Sequence, residues 1–246
     1  MQLFPGMNLA AHKRNQSVIL IGMGACPPLY GINTIEFGRD DNKSCLITFD
    51  DYIRFFSSSF DTTKTVVLVS RGPSYISGHD LGDGRHRWGL VSSRPQEEAA
   101  SQHALYLAGT SRTIDFLEAK GKQVVFFIDN PELGFNPSTC MIQRPVRLLH
   151  KEQQSCSIPA SVVYAWQAEY RQIITELKSL HPKLEVFDST SYWCNQETCF
   201  ISKDGNLLYL DDNHLNFQGS KFISEKFFAW YEMANSRAND AINIHR

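Results

Sequence analysis

The sequence has no surplus of basic residues, no long apolar run and no familiar phosphate-binding motif. Its 24 lysines and arginines are balanced by 26 aspartates and glutamates, which argues against general affinity for nucleic acid. No apolar stretch approaches the roughly 20 residues that cross a bilayer. The glycine patterns of dinucleotide and nucleoside-triphosphate sites are also missing, so we expect no nucleotide cofactor.

The start of the chain carries no export signal of the usual kind. Its first residues lack the apolar core and the small-residue cleavage site of a signal peptide. The composition is otherwise that of a folded protein, with 42% hydrophobic and 20% charged residues. A length of 246 residues fits one large α/β domain, and we expect a single domain over residues 1–246.

Six cysteines are present, and their spacing fits neither a Cys-x-x-Cys pair nor a zinc ribbon. We therefore predict no metal site. Pairing sequence neighbours gives the disulfides that we expect, Cys26–Cys45, Cys140–Cys156 and Cys194–Cys199. Disulfides imply an oxidising compartment, whereas six buried thiols are the alternative. Because the chain has no signal peptide, either the thiols are reduced or the chain is a piece of a longer protein.

Hydrophobic patterns predict alternating strands and helices. Continuous apolar runs predict buried strands at 17–22, 65–70 and 123–128, and a weaker strand at 184–187. Helical patterns occur at 3–13, 50–60, 96–120, 159–180 and 219–233. This alternation predicts a parallel sheet with helices on both sides, in three α/β/α layers.

The most informative motif follows the hydrophobic residues 207–210. It reads Asp211-Asp-Asn-His214 and leads into the last predicted helix. An aspartate three residues before a histidine can accept the Nδ1–H of the ring and leave Nε2 free as a base. The same spacing recurs from Asp83 to His86, in a glycine-rich loop with no strand behind it, and we interpret that match as chance. Asp211 and His214 are therefore the candidate catalytic residues.

This carboxyl-terminal motif resembles the last conserved block of the SGNH (GDSL-like) hydrolases. The rest of the chain resembles, more narrowly, the SGNH domain fused to bacterial family-three membrane acyltransferases. Three features carry that resemblance: Gly-Ala-Cys-Pro-Pro at 24–28, Asp-Asn-Pro-Glu-Leu at 129–133, and Cys194 and Cys199 upstream of the Asp-His motif. The resemblance implies a flavodoxin-like parallel sheet of the SGNH hydrolase type.

The family's nucleophile has no counterpart here. SGNH enzymes carry it in a Gly-Asp-Ser block at the end of the first strand, and no Gly-Asp-Ser occurs in this sequence. The serines Ser70, Ser74 and Ser111 lie at other places in the pattern. Since the first residues resemble the helix that follows that block, we expect the chain to begin just after it, without the first strand. A serine-less member retained for binding is the alternative.

The family's oxyanion donors are only partly matched. Gly24 lies where the second family block places its glycine, although a turn alone would also require a glycine there. The family's Gly-x-Asn-Asp block is replaced by Arg-Gly-Pro-Ser at 71–74. Gly24 is thus a candidate oxyanion residue, and the asparagine donor has no equivalent in this motif.

The resemblance implies acyl transfer to a surface polysaccharide such as lipopolysaccharide O-antigen. His214 would deprotonate the serine, and Asp211 would orient the imidazole. An acyl donor, a polysaccharide acceptor and a membrane acyltransferase domain N-terminal to this segment are the implied partners. The implied location is the periplasmic face of the inner membrane. A carbohydrate esterase or a glycan-binding module of the same fold is the alternative, and this chain alone is expected to be inactive. A cytoplasmic Rossmann-like protein would require reduced cysteines and a phosphate loop.

Overall fold

The structure, a computed structural model, describes residues 2–37, 44–58, 61–85, 87–141 and 156–244. The chain divides into two compact units. Unit 1 comprises Met1–Leu20, Asn130–Ala160 and Ser189–Arg246, and unit 2 comprises Ile21–Asp129 and Ser161–Asp188. The expectation of one domain over residues 1–246 stays a prediction.

Helices and strands alternate along the described parts of the chain. The helices are α1 (Phe4–His12), α2 (Ser44–Phe56), α3 (Gly72–Ser77), α4 (Gln102–Ala119), α5 (Ser138–Met141), α6 (Ala160–Trp166), α7 (Ala168–Leu180), α8 (Thr190–Trp193) and α9 (Phe217–Ile244), with a short 3₁₀ helix at Pro95–Glu97. The strands are β1 (Ile32–Glu36), β2 (Thr65–Ser70), β3 (Trp88–Ser92), β4 (Gln123–Ile128), β5 (Ser157–Pro159), β6 (Glu185–Asp188), β7 (Thr198–Phe200), β8 (Ser202–Lys203) and β9 (Asn206–Leu207).

Unit 2 is built on a parallel sheet in the order β2-β4-β6. Val67 lies opposite Val125, and Phe127 lies opposite Phe187. β2 and β4 coincide with predicted apolar runs, and β6 begins one residue later than the weaker strand predicted at 184–187. The central strand β4 is buried along nearly its whole length, which requires apolar residues on both of its faces. The helices α4 and α7 follow β2 and β4 along the chain, as crossover helices between parallel strands do. The predicted α/β class is therefore confirmed.

The predicted strand at residues 17–22 is wrong. These residues form no strand, and three of their side chains are exposed: Ile19 by 57%, Leu20 by 43% and Ile21 by 37%. An apolar run favours an extended chain, but a strand also needs a neighbour to hydrogen-bond, and no described strand pairs with this run. The expectation that a first strand is missing stays a prediction.

Several predicted helices have different bounds in the structure. The helix predicted at 50–60 is α2, which starts earlier, and the one predicted at 96–120 is preceded by the short 3₁₀ helix and begins at Gln102. The prediction for 159–180 corresponds to two helices, α6 and α7, and α9 extends beyond the prediction in both directions. Within the described residues, no helix combines the length and the apolar composition that crossing a membrane requires.

All three predicted disulfides are present. The Cα atoms are 5.2 Å apart in Cys26–Cys45, 5.2 Å in Cys140–Cys156 and 3.8 Å in Cys194–Cys199. The first bond lies in unit 2, and the other two lie in unit 1. Pairing of sequence neighbours is confirmed, and cross-links of this number are typical of proteins from oxidising compartments.

Unit 1 packs its first helix against its last. Met7, Ala10 and Ala11 are buried on α1, and Ile223 and Phe227 are buried on α9. The two helices meet at Gly6, where an added Cβ atom would lie 2.3 Å from the backbone oxygen of Ser220. A glycine is required at this position because the two backbones approach too closely for any side chain.

We predict that Gly6→Ala destabilises the protein, because the new methyl group would overlap a main-chain carbonyl that cannot rotate away. The free energy of unfolding should fall by about 1–3 kcal/mol, as for other overpacked contacts. Urea denaturation followed by circular dichroism measures the change. Gly84→Ala is the matched control, since a Cβ atom there meets nothing within 4 Å. Equal unfolding midpoints for the two variants would contradict the close helix contact.

Candidate functional site

The Asp-His motif lies in unit 1, on a closed loop between β9 and α9. Tyr209 and Leu215 form an isolated antiparallel bridge at the base of the loop. The backbone N–H of Leu210 donates to the His214 carbonyl over 2.7 Å. Residues 211–214 therefore form a tight loop whose two ends are held together. Asp211 and His214 are three residues apart because they are the first and last residues of this loop.

The Asp211 carboxylate organises the loop from inside. One oxygen, Oδ1, accepts the backbone N–H groups of Asn213 at 3.0 Å and His214 at 2.7 Å. The other oxygen, Oδ2, lies 2.9 Å from Nδ1 of the His214 ring. The carboxylate thus places the proton of the neutral ring on Nδ1, which leaves Nε2 with a free lone pair.

Exposure and charge suit the pair to proton transfer. The His214 side chain is 56% exposed and that of Asp211 is 44% exposed, so solvent reaches the imidazole. Partial burial works to raise the pKa of Asp211, but the hydrogen bonds from Asn213 and His214 outweigh it and lower that pKa. Asp211 is therefore ionised at neutral pH and can stabilise a positive charge on the ring.

Residues 130–133 brace this loop from elsewhere in unit 1. The Tyr209 hydroxyl, which is buried, donates to the Pro131 carbonyl over 2.9 Å. The Leu133 N–H donates to the Asp212 carbonyl over 2.8 Å. Asn130 Nδ2 donates to the Asn213 carbonyl over 3.2 Å. The Asn-Pro-Glu-Leu part of the motif at 129–133 is thus a structural support for the histidine loop.

Gln2 completes the support. Its Nε2 donates to Asn130 Oδ1 over 3.0 Å, and its Oε1 accepts the Leu215 N–H at 2.5 Å. The sequence did not single out Gln2, Asn130 or Tyr209 as site residues. Of the three, only Asn130 lies in a motif that the sequence marked as family-like, the one at 129–133.

The start of α9 is fixed by a side-chain cap. Asn216 Oδ1 accepts the Gly219 N–H at 3.0 Å, and Asn216 Nδ2 donates to the Leu207 carbonyl over 2.7 Å. This cap satisfies a backbone donor that the first helical turn leaves unpaired. It also fixes the chain two residues beyond His214.

Gly24, the candidate oxyanion residue, lies in unit 2. It sits in a tight turn in which Met23 and Cys26 form a bridge and Ala25 has a φ of 61°. A Cβ atom on Gly24 would meet nothing within 4 Å, so packing does not require the glycine. Its oxyanion role stays a prediction.

The three serines that the family pattern left over all lie in unit 2. Ser70 Oγ is 2.6 Å from the hydroxyl of Tyr106, and burial raises the pKa of that tyrosine to about 12. Ser74 is buried in α3. Ser74 therefore belongs to the packed interior, and the partly buried Ser70 is engaged with Tyr106.

Ser111 has the most suggestive surroundings of the three. Its Oγ lies 2.7 Å from Nε2 of His181, and Nδ1 of His181 lies 3.6 Å from Asp115. However, Ser111 is in the middle of α4, where backbone N–H groups are already used by the helix and cannot stabilise an oxyanion. His181 is only 6% exposed, so this arrangement is a packing contact between helices.

No metal site emerges from the parts of the chain that the structure describes, since no group of three or more His, Cys, Asp or Glu side chains there could hold a metal ion. His86, in the second Asp-x-x-His match, lies outside the described residues. Asp83 instead pairs with Arg85, which lowers the pKa of that carboxyl to about 2.

Comparison with known proteins identifies what the chain as a whole is similar to. No curated protein matches the sequence. Among solved structures, the periplasmic domain of the lipopolysaccharide acetyltransferase from Salmonella ser. Paratyphi A is similar, with a TM-score of 0.56 and 16% identity. The match covers 93% of this chain and 78% of that one, and at this identity it establishes the fold.

The family comparison covers almost the whole chain. A family model described as "SGNH domain (fused to AT3 domains)" matches residues 1–229. This match confirms the resemblance that the sequence motifs indicated. The chain belongs to the family of SGNH domains that are fused to AT3 domains.

Proposed function

We propose that this domain takes part in transferring an acyl group, acetyl in the simplest case, to a hydroxyl of a bacterial surface polysaccharide. The observation that carries the proposal is the Asp211–His214 pair. Its carboxylate is fixed by two backbone N–H groups, and its imidazole is exposed with Nε2 unused among the described contacts. This is the arrangement of an orienting carboxylate and a general base.

In the proposed reaction, His214 Nε2 takes the proton of a serine hydroxyl while the serine oxygen attacks the carbonyl carbon of the acyl donor. The leaving group of the donor takes that proton, and the acyl group stays on the serine as an ester. The imidazole then takes the proton of the acceptor hydroxyl, whose oxygen attacks the ester, and returns it to the serine. Asp211 stabilises the imidazolium in both halves of the reaction.

The serine is not assigned to a residue of this chain, which contains no Gly-Asp-Ser. The same absence favours one second candidate, a non-catalytic glycan-binding module of the SGNH fold. An esterase would use the same residues with water as the acceptor.

The family and the disulfides support the setting of the reaction. SGNH domains of this family are fused to AT3 domains, so we propose a membrane acyltransferase domain as the source of the acyl group. The similar Salmonella domain is periplasmic and belongs to a lipopolysaccharide acetyltransferase. Three disulfides are consistent with a periplasmic location for this domain.

His214→Ala should abolish O-acetylation of the surface polysaccharide, because the proposed reaction has no other base. Asp211→Asn should reduce it by roughly a hundredfold or more, since the amide would favour the wrong ring tautomer. Each variant is introduced into the gene in its source organism. Ester-linked acetate is then released from purified polysaccharide by mild base and quantified.

Two matched variants control for expression and folding. His12→Ala removes another exposed histidine of unit 1, and Asp204→Asn changes a turn residue whose φ of 51° also suits asparagine. Both controls should leave acetylation at the wild-type level. Normal acetylation in His214→Ala would contradict the proposal and favour the glycan-binding module.

The chain over residues 1–246 should not hydrolyse p-nitrophenyl acetate above the buffer rate, because Asp211 and His214 have no assigned nucleophile to activate. Release of p-nitrophenolate at neutral pH measures this directly. Turnover that disappears in His214→Ala would contradict the prediction and reveal a serine that the sequence pattern does not identify.

The loop should respond to acid through Asp211. The pKa of this carboxyl is lowered from 3.8, so its ionised form stabilises the folded loop. That contribution is complete above the ordinary value and is lost as the pH falls through the lowered value. The amide signals of Asn213 and His214, followed by NMR from neutral to acidic pH, should shift with a midpoint below 3.8. Asp211→Asn should remove the transition, and a midpoint well above the ordinary value would refute it.

A further inference from the structure

Two carboxamide side chains hold the peptide groups on either side of His214. Asn130 Nδ2 donates to the carbonyl of Asn213, the residue before it, and Gln2 Oε1 accepts the N–H of Leu215, the residue after it. The two side chains are joined by the hydrogen bond from Gln2 Nε2 to Asn130 Oδ1. We call this pair, Gln2 and Asn130, the amide relay.

The directions of these hydrogen bonds are mutually dependent. The Asn213 carbonyl can only accept, so Asn130 must turn its NH₂ group toward it and leave Oδ1 for Gln2. Gln2 must then donate through Nε2, which leaves Oε1 for the Leu215 N–H. A carboxylate at either position would break this chain, because it only accepts. A primary amide satisfies both ends.

We propose that the amide relay positions His214 for proton transfer. Asp211 holds the N–H groups of Asn213 and His214, and the relay holds the Asn213 carbonyl and the Leu215 N–H. The backbone that carries the imidazole is thereby fixed from both sides. Gln2 and Asn130 are positioning residues, since they act on the backbone on either side of His214. This inference rests on the proposed function of His214.

The relay is buried enough for a substitution to have a clear effect. Asn130 is 4% exposed, so bulk water does not readily replace a lost partner. Asn130→Asp would place a carboxylate oxygen against the Asn213 carbonyl at neutral pH, and the two acceptors would repel each other. When protonated, the same side chain could donate to that carbonyl and still accept from Gln2.

The contrast between the ionised and the protonated carboxyl of Asn130→Asp allows a test by pH. A general loss of packing at this position would not be reversed by acid. Burial and the facing carbonyl should raise the pKa of the new carboxyl, whereas the pKa of Asp211 is lowered. At about pH 5 the new group should therefore be protonated while Asp211 is still ionised. Amide NMR signals of Asn213, His214 and Leu215 are measured in the chain at neutral pH and at pH 5.

Asn130→Asp should displace these three signals at neutral pH and return them toward wild-type positions at pH 5. Asn195→Asp is the matched control, because Asn195 Oδ1 accepts two backbone N–H groups and a carboxylate can do the same. Signals unchanged at neutral pH, or equally displaced at both pH values, would overturn the proposal. If Asn130→Asp does not fold, Gln2→Ala takes its place and should displace the Leu215 signal alone or most strongly; an unmoved Leu215 signal overturns the relay.

Activity separates this inference from the proposed function. In the source organism, Asn130→Asp should slow O-acetylation of the polysaccharide about tenfold or more, because small displacements of a catalytic group are costly. Asn195→Asp should acetylate normally. If His214→Ala acetylates normally, the proposed function fails, whatever the relay does to the NMR signals. If His214→Ala is inactive and Asn130→Asp acetylates at the wild-type rate, the relay alone is refuted.

Discussion

The hydroxyl of Ser220 joins the beginning of unit 1 to its end. It donates to the Leu3 carbonyl over 3.0 Å and accepts the Gly6 N–H at 2.9 Å, and it is fully buried. A polar group that loses its partner inside the protein costs more than an exposed one, so these two hydrogen bonds help to fix how α1 and α9 cross. The ion pair between Lys13, just after α1, and Glu225 of α9 is half exposed at the lysine and contributes little. Since Gln2 directly precedes Leu3, the same crossing brings Gln2 to Leu215.

The histidine loop combines local and remote constraints. Asp211 fixes the ring through contacts within four residues of chain, so the motif carries that part of the geometry by itself. The remote part comes from Asn130, Pro131 and Leu133, which contact the loop from about 80 positions earlier in the sequence. A free loop would sample many orientations of the imidazole, and ordering it costs conformational entropy. The hydrogen bonds from residues 130–133 offset that entropy cost during folding, before any substrate binds.

Local patterns account for what the sequence predicted correctly. The strands β2 and β4 are mostly apolar runs, the Asp-His pair lies within one loop, and the disulfides join cysteines that are near in sequence. The ribbon of β1 and β3 was not predicted, since its strands pair across more than 50 residues and neither is strongly apolar. The strand predicted at 17–22 is wrong for the converse reason. The composition of these residues favours a strand, but a strand forms only where a neighbouring strand pairs with it. Gln2 was not singled out because its partners, Asn130 and Leu215, are far away in sequence.

A comparison of His181 with His214 shows what distinguishes a base from a packing residue. His181 has a serine at 2.7 Å and an aspartate at 3.6 Å, so a list of distances alone would favour it over His214. Yet Asp115 is 68% exposed and can rotate away, whereas Asp211 accepts two backbone N–H groups that hold it in place. His181 is buried with Nε2 occupied by Ser111, whereas Nε2 of His214 faces no described partner and its ring is exposed. A base must reach its substrate and keep its tautomer throughout the reaction. Those requirements are met by a fixed carboxylate and an open ring nitrogen, and in this chain they coincide at His214.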